Sequence, residues 1–141
     1  MIQQFVKEIV SIAEASLGGL YGRSALLIGS EERRCPYLAQ LQKAGMAQVY
    51  EEEHFQNLSL LLPHVHLLLN LPDPALPVQR AAQLQAATVI QACSGRRTPL
   101  VIFDLGETSS IEDLVGLLPP VCLYTPDDLR RILSRTKVQI A

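Results

Sequence analysis

Short apolar runs closed by turn or acidic residues punctuate this chain, and segments of helical period separate them. The run Ser24-Ala25-Leu26-Leu27-Ile28-Gly29 is apolar on both faces and ends on glycine, the signature of a strand buried between two layers of helices. Further strands are predicted over 47–50, 65–71, 99–104 and 121–124, with an acidic turn at Glu51-Glu52-Glu53 and a stop at Pro72-Asp73-Pro74. Residues 2–17 place Ile2, Phe5, Val6, Ile9, Ile12 and Ala13 at helical spacing, and Gly18-Gly19 ends that helix. Helices are also expected over 36–44, 54–62, 77–94 (with a break near Ala87-Thr88) and 126–135, the last with proline in its first turn. Strands that alternate with helices imply right-handed βαβ units and a parallel sheet. The expected fold is therefore α/β: a three-layer, Rossmann-like, doubly wound sheet of about five parallel strands in the order 3-2-1-4-5. The 141 residues suit a single domain, 1–141, with 1–17 as its leading helix.

Composition excludes several classes. An apolar share of 48% with 18% charged residues is incompatible with intrinsic disorder. Twelve basic against fourteen acidic residues give a net charge of −2, so no chain-wide electrostatic case for nucleic-acid binding exists. Cys35, Cys93 and Cys122 are odd in number, far apart and without a CxxC pair, which argues against a disulfide framework or zinc site and for a reducing compartment. Such cysteines are expected to be small buried hydrophobes. The charged start of the chain does not read as a signal peptide, and runs such as Leu67-Leu68-Leu69 are far too short to cross a bilayer. The expectation is a cytoplasmic protein with no membrane contact.

Ligands of an open parallel sheet bind beyond the carboxyl ends of its strands. Here those ends hold Gly29, Ser30 and Glu31, then Glu52, then Asn70 and Leu71, then Asp104 and Gly106. A dinucleotide site wants G-x-G-x-x-G after the first strand, so that bare backbone meets the pyrophosphate at a helix N-terminus. The sequence reads Gly29-Ser30-Glu31-Glu32-Arg33-Arg34, with Glu31 and Arg34 in the places of the second and third glycines. Bulk and a carboxylate there oppose a phosphate, while Arg33 or Arg34 could grip one. His64-Val65-His66 shares a strand face but lacks companion ligands, so no metal site is assigned. Arg96-Arg97 reads as a solvated pair, and Asp127-Asp128 as carboxylates favouring a helix start.

The stretch from Leu17-Gly18-Gly19 through Ile28-Gly29 resembles the entrance to the NADPH-binding domain of glutamyl-tRNA reductase. Pro99-Leu100-Val101-Ile102-Phe103-Asp104-Leu105-Gly106 is similar to a later strand of that family. Leu118-Pro119-Pro120-Val121-Cys122-Leu123-Tyr124-Thr125-Pro126-Asp127-Asp128-Leu129 is similar to its closing strand and helix start, the most specific of the three. The resemblance covers roughly residues 10–135. It implies the cofactor domain of an NADP-dependent oxidoreductase that reduces glutamyl-tRNA to glutamate-1-semialdehyde in tetrapyrrole (porphyrin) synthesis. The cofactor-binding candidates are then Gly29, Ser30, Glu31, Glu32, Arg33, Glu52, Asn70, Leu71, Asp104 and Gly106.

In that family the nucleophilic cysteine sits in a separate N-terminal domain, and none of the three cysteines here matches its setting. No catalytic residue is assigned, and the chain is not expected to be catalytic alone. Where the family carries an Arg for the 2′-phosphate of NADP, this chain has Tyr50-Glu51-Glu52-Glu53, and carboxylates favour a ribose diol. Three readings follow: an NADP domain of the reductase type, a degenerate module that binds no dinucleotide and works through protein contacts, and an NAD domain using Glu52. The apolar stripe of residues 1–17 suggests a homodimer or a partner domain seated on it.

Overall fold

The computed structural model describes residues 2–54, 57–72, 84–106 and 111–140. Among them, β1 (Ser24–Gly29), β2 (Gln48–Glu52), β3 (Leu67–Leu71), β4 (Leu100–Asp104) and β5 (Val121–Tyr124) form one all-parallel sheet. Its helices are α1 (Ile2–Leu17), α2 (Glu31–Lys43), α3 (Leu58–Leu61), α4 (Ala86–Ala92) and α5 (Pro126–Ile140). Tight 3₁₀ turns at Leu62–His64 and Asp113–Leu117 complete the layers.

The side-chain alternation of the strands divides the core in two. Ala25, Leu27, Leu67, Leu69, Leu71, Val101 and Phe103 face one layer, where Val6, Ile9, Ala13 and Leu17 of α1 and Tyr37 and Leu41 of α2 meet them. Leu26, Ile28, Leu68, Leu100 and Ile102 face the other, covered by Leu58, Val89, Ala92 and Val115 from α3, α4 and the second 3₁₀ turn. Tyr124 stacks on Phe103 with ring centroids 4.7 Å apart, and its hydroxyl lies 2.6 Å from the Ser16 hydroxyl. That pair ties the edge strand to α1.

The strand order is β2-β1-β3-β4-β5, not the 3-2-1-4-5 expected from sequence. The cause lies in the strands themselves. Gln48, Glu51 and Glu52 give β2 the partly exposed character of an edge, whereas all five residues of β3 are buried. The expected order would have put the charged strand inside and the apolar one at the rim.

Several boundaries also move. α2 begins at Glu31 and carries Pro36 inside it, so the helix forgoes the bond an N–H there would make to the Glu32 carbonyl. β2 runs through Glu51 and Glu52, so two of the three glutamates expected in a turn belong to a strand. β3 starts at Leu67, after a 3₁₀ turn that takes the end of the helix expected over 54–62. Of the helix expected over 77–94, residues 77–83 lie outside the described residues, and α4 runs unbroken through Ala87-Thr88. Finally, the inner part of the apolar stripe of α1 packs on the chain's own sheet, with Val6 at 1%, Ile9 at 0% and Ala13 at 0% exposure, while Phe5 stays 39% exposed.

Candidate functional site

Because the strands are parallel, their carboxyl ends collect every site residue expected from sequence on one edge. The chain leaves β1 toward β2 and returns past it to β3, so the switch in direction falls between β1 and β3. There Gly29 has φ +152°, and an added Cβ would lie 2.5 Å from the Leu71 carbonyl oxygen. The first glycine of the motif is thus required for close packing of β1 on β3, independently of any ligand.

Ser30 caps α2 with extended backbone (φ −67°, ψ 156°), and its carbonyl accepts bonds from the Arg33 and Arg34 amides. Its side chain makes no capping bond. Glu31 and Glu32 occupy the first turn and are exposed, where their charge suits the helix dipole. Glu31 therefore puts a carboxylate at the amide-rich end that a phosphate would need.

Arg34 is turned inward and only 9% exposed. Its Nη1 lies 3.3 Å from Oε1 of Glu51 on β2. The Nε atoms of Arg33 and Arg34 are buried and have no hydrogen-bond partner among the described residues. The side chain in the third glycine's place thus fills the gap between α2 and β2 and is held there by a carboxylate. Beside it Tyr37 is buried, which pushes its phenol up to about 12 against the opposing pull of Arg33.

Glu52 ends β2, partly buried, and its Oε1 accepts a 2.6 Å bond from Nδ2 of Asn57. At the ends of β3 and β4, Asn70 and Asp104 are side by side in register and nearly fully buried, and Asn70 Nδ2 lies 3.4 Å from Asp104 Oδ1. Gly106 follows β4, half-buried. Asp73, in the expected stop after β3, lies outside the described residues.

Other expectations resolve as follows. Arg96 is not solvated: it is half-buried, and its guanidinium donates to the carbonyls of Leu62, Val65, Thr98 and Pro99. Arg97 is exposed. His66 accepts a 3.3 Å bond at Nδ1 from the Ser24 amide, and burial together with Arg96 holds its pKa below the usual range. Among the described residues no three His, Cys, Asp or Glu side chains cluster as a metal site would require. Only Cys93 of the three cysteines is buried, and burial pushes its thiol up; Cys35 and Cys122 are exposed, contrary to expectation. Among the described residues no helix is long and apolar enough to cross a membrane.

Sequence reasoning missed the contact that holds Arg34. The spacing singled out Arg34 as a blocked glycine, yet nothing local in sequence showed Glu51 as its partner.

No protein-family model matches the sequence. Glutamyl-tRNA reductase from Methanospirillum hungatei is 29% identical over 147 aligned residues, covering 90% of this chain and 35% of the relative. The Thermus thermophilus enzyme of the same name is 28% identical over 137 residues, covering 89% and 35%. The chain thus spans about a third of the length of the curated relatives it matches, and homology to glutamyl-tRNA reductase extends over some 90% of the chain. The structure of glutamyl-tRNA reductase from Methanopyrus kandleri superposes with a TM-score of 0.72 at 22% identity, over 99% of this chain and 39% of that one. A bifunctional methylenetetrahydrofolate dehydrogenase/cyclohydrolase from Campylobacter jejuni gives 0.59 at 16% identity, over 94% and 48%. The fold is Rossmann-like α/β.

Proposed function

We propose that this chain is the Rossmann module of a glutamyl-tRNA-reductase-type protein of tetrapyrrole formation, working in the cytoplasm, and that it does not hold NADP tightly. Homology over 90% of the chain supports the kinship. One observation carries the second part: Glu31 stands in the first turn of α2, in the place of the glycine that lets bare backbone meet a pyrophosphate.

The residues at the edge do not fit NADP. A pyrophosphate approaching α2 meets the Glu31 carboxylate rather than bare backbone. A 2′-phosphate beyond β2 would meet Glu51, Glu52 and Glu53, where the sign of the charge is wrong. We therefore derive no hydride-transfer step. Cys93, buried and with a raised pKa, is a poor thiolate nucleophile. On this reading the reaction's nucleophile and reductant belong to other domains or proteins, and this module contributes a docking surface.

A second reading, an NAD site with Glu52 on the adenosine ribose, is favoured by one feature. Glu52 ends β2, where the ribose-binding acid of such folds stands, and Asn57 fixes its orientation.

Calorimetric titration with NADPH and NADH separates the readings. The expected result is no saturable NADPH binding. A low-micromolar Kd with NADPH preferred over NADH would overturn the proposal. Micromolar NADH binding that Glu52→Ala abolishes would favour the second reading.

A further inference from the structure

The segments that lead into the five strands, residues 18–23, 43–47, 62–66, 93–99 and 117–120, carry Arg23, Lys43, His64, His66, Arg96 and Arg97 and no Asp or Glu. The opposite edge carries Glu31, Glu32, Glu51, Glu52, Glu53 and Asp104 against Arg33 and Arg34. The chain's net charge of −2 therefore conceals two edges of opposite sign. A five-residue strand separates them by ~16 Å, too far for the carboxylates of one edge to pair with the guanidinium groups of the other.

At the positive edge an open cavity of about 510 Å³, broadly exposed to solvent, lies between Arg96–Pro99 and Pro119–Pro120, with Cys93 in its wall. Arg96 is fixed there by bonds to four neutral carbonyls, which orient its guanidinium without cancelling its charge. Among the described residues no carboxylate lies within ion-pair distance of Arg96 or Arg97. Arg97 is exposed at the rim, with its donors open to a ligand. A concave surface lined by one sign of charge concentrates counter-ions.

We infer that this cavity binds a small multivalent oxyanion, carried on carboxylates or phosphates, with Arg96 as the fixed charge and Arg97 as the contact that closes on it. The site lies at the edge opposite the candidate dinucleotide site, so it stands whether or not a dinucleotide binds there.

The test uses the full chain, titrated calorimetrically with citrate and with pyrophosphate at an ionic strength held constant with sodium chloride. Amide chemical shifts locate the binding. The expected result is saturable binding of at least one probe, with shifts centred on Cys93–Thr98. Arg97→Glu should weaken it about tenfold or more, the effect of losing a charge-assisted contact. Arg130→Glu, the same charge change on an exposed face of α5, should leave it unaltered. Tighter citrate binding assigns a carboxylate ligand, and tighter pyrophosphate binding a phosphate-bearing one. Absence of saturable binding, equal weakening by the two variants, or shifts centred on Ser30–Arg34 would overturn the inference.

Discussion

The guanidinium of Arg34 on α2 meets the carboxylate of Glu51 on β2, Nη1 to Oε1 at 3.3 Å, with the arginine side chain 11% exposed and the glutamate 34%. It occupies the place where the third glycine of a dinucleotide motif lets helix and strand pack closely. Partly buried, it is worth more than a surface pair, yet removing one partner alone would strand the other's charge.

The contact sets the design of a repair. Glu31→Gly with Arg34→Gly would remove the carboxylate and the plug together but leave Glu51 unpaired, so Glu51→Gln should accompany them. The triple variant is expected to bind NADH where the parent does not, with NADPH disfavoured while Glu52 remains. Calorimetry reads the gain. If the variant is folded by circular dichroism and still ignores both nucleotides, the obstruction lies elsewhere on the edge, for instance at Leu71.

The burial of α1 implies that it is part of the folding unit. Ile9 is 0% exposed against the sheet, so Ile9→Ala should destabilise the domain by about 2–5 kcal/mol, measured by urea unfolding. Phe5, 39% exposed on the same helix, should tolerate alanine with a much smaller loss. Equal effects at the two positions would contradict the packing described.

Arg96 and Arg97 are adjacent in sequence and opposite in consequence. Arg96→Met removes donors from the Leu62 and Val65 carbonyls, and a loss of about 2–3 kcal/mol is expected. Arg97→Ala should change stability by less than about 0.5 kcal/mol. Losing the Arg96 charge should also let the His66 pKa rise, which an NMR titration would show.

The start of α5 is a capping box. The Thr125 hydroxyl accepts from the Asp128 amide at 3.1 Å, and Asp128 Oδ2 accepts from the Thr125 amide at 3.0 Å. That backbone bond holds the Asp128 pKa below its usual 3.8. A carboxylate with a depressed folded-state pKa stabilises the fold above its unfolded value and loses that contribution as the pH falls through the folded one. The cap should therefore be intact at neutral pH and fade below about pH 4. Thr125→Ala should cost about 1 kcal/mol at pH 7. The difference between Asp128→Asn and the parent should narrow in acid, and an unchanged difference at pH 3 would sink this account.

Local patterns were decisive for most of the fold. Short continuous apolar runs and period-3.6 apolar spacing, with glycine and proline stops, placed α1, β1 and β5 at the residues where they occur, because such preferences depend on neighbours along the chain. They also collected the candidate site on one edge, since parallel strands can do nothing else. The strand order was written more faintly, in the charged residues of β2 and the unbroken apolar run of β3, which mark an edge and a centre. What only the tertiary structure decided was pairing across distance. Arg34 finds Glu51, Arg96 finds four carbonyls, and Ser16 finds Tyr124 because packing brings them together, and sequence spacing encodes none of these meetings. Burial then decides what each charge does: the same side chain that would be solvated on a free helix becomes a plug or a clamp once water is excluded and a partner must be found.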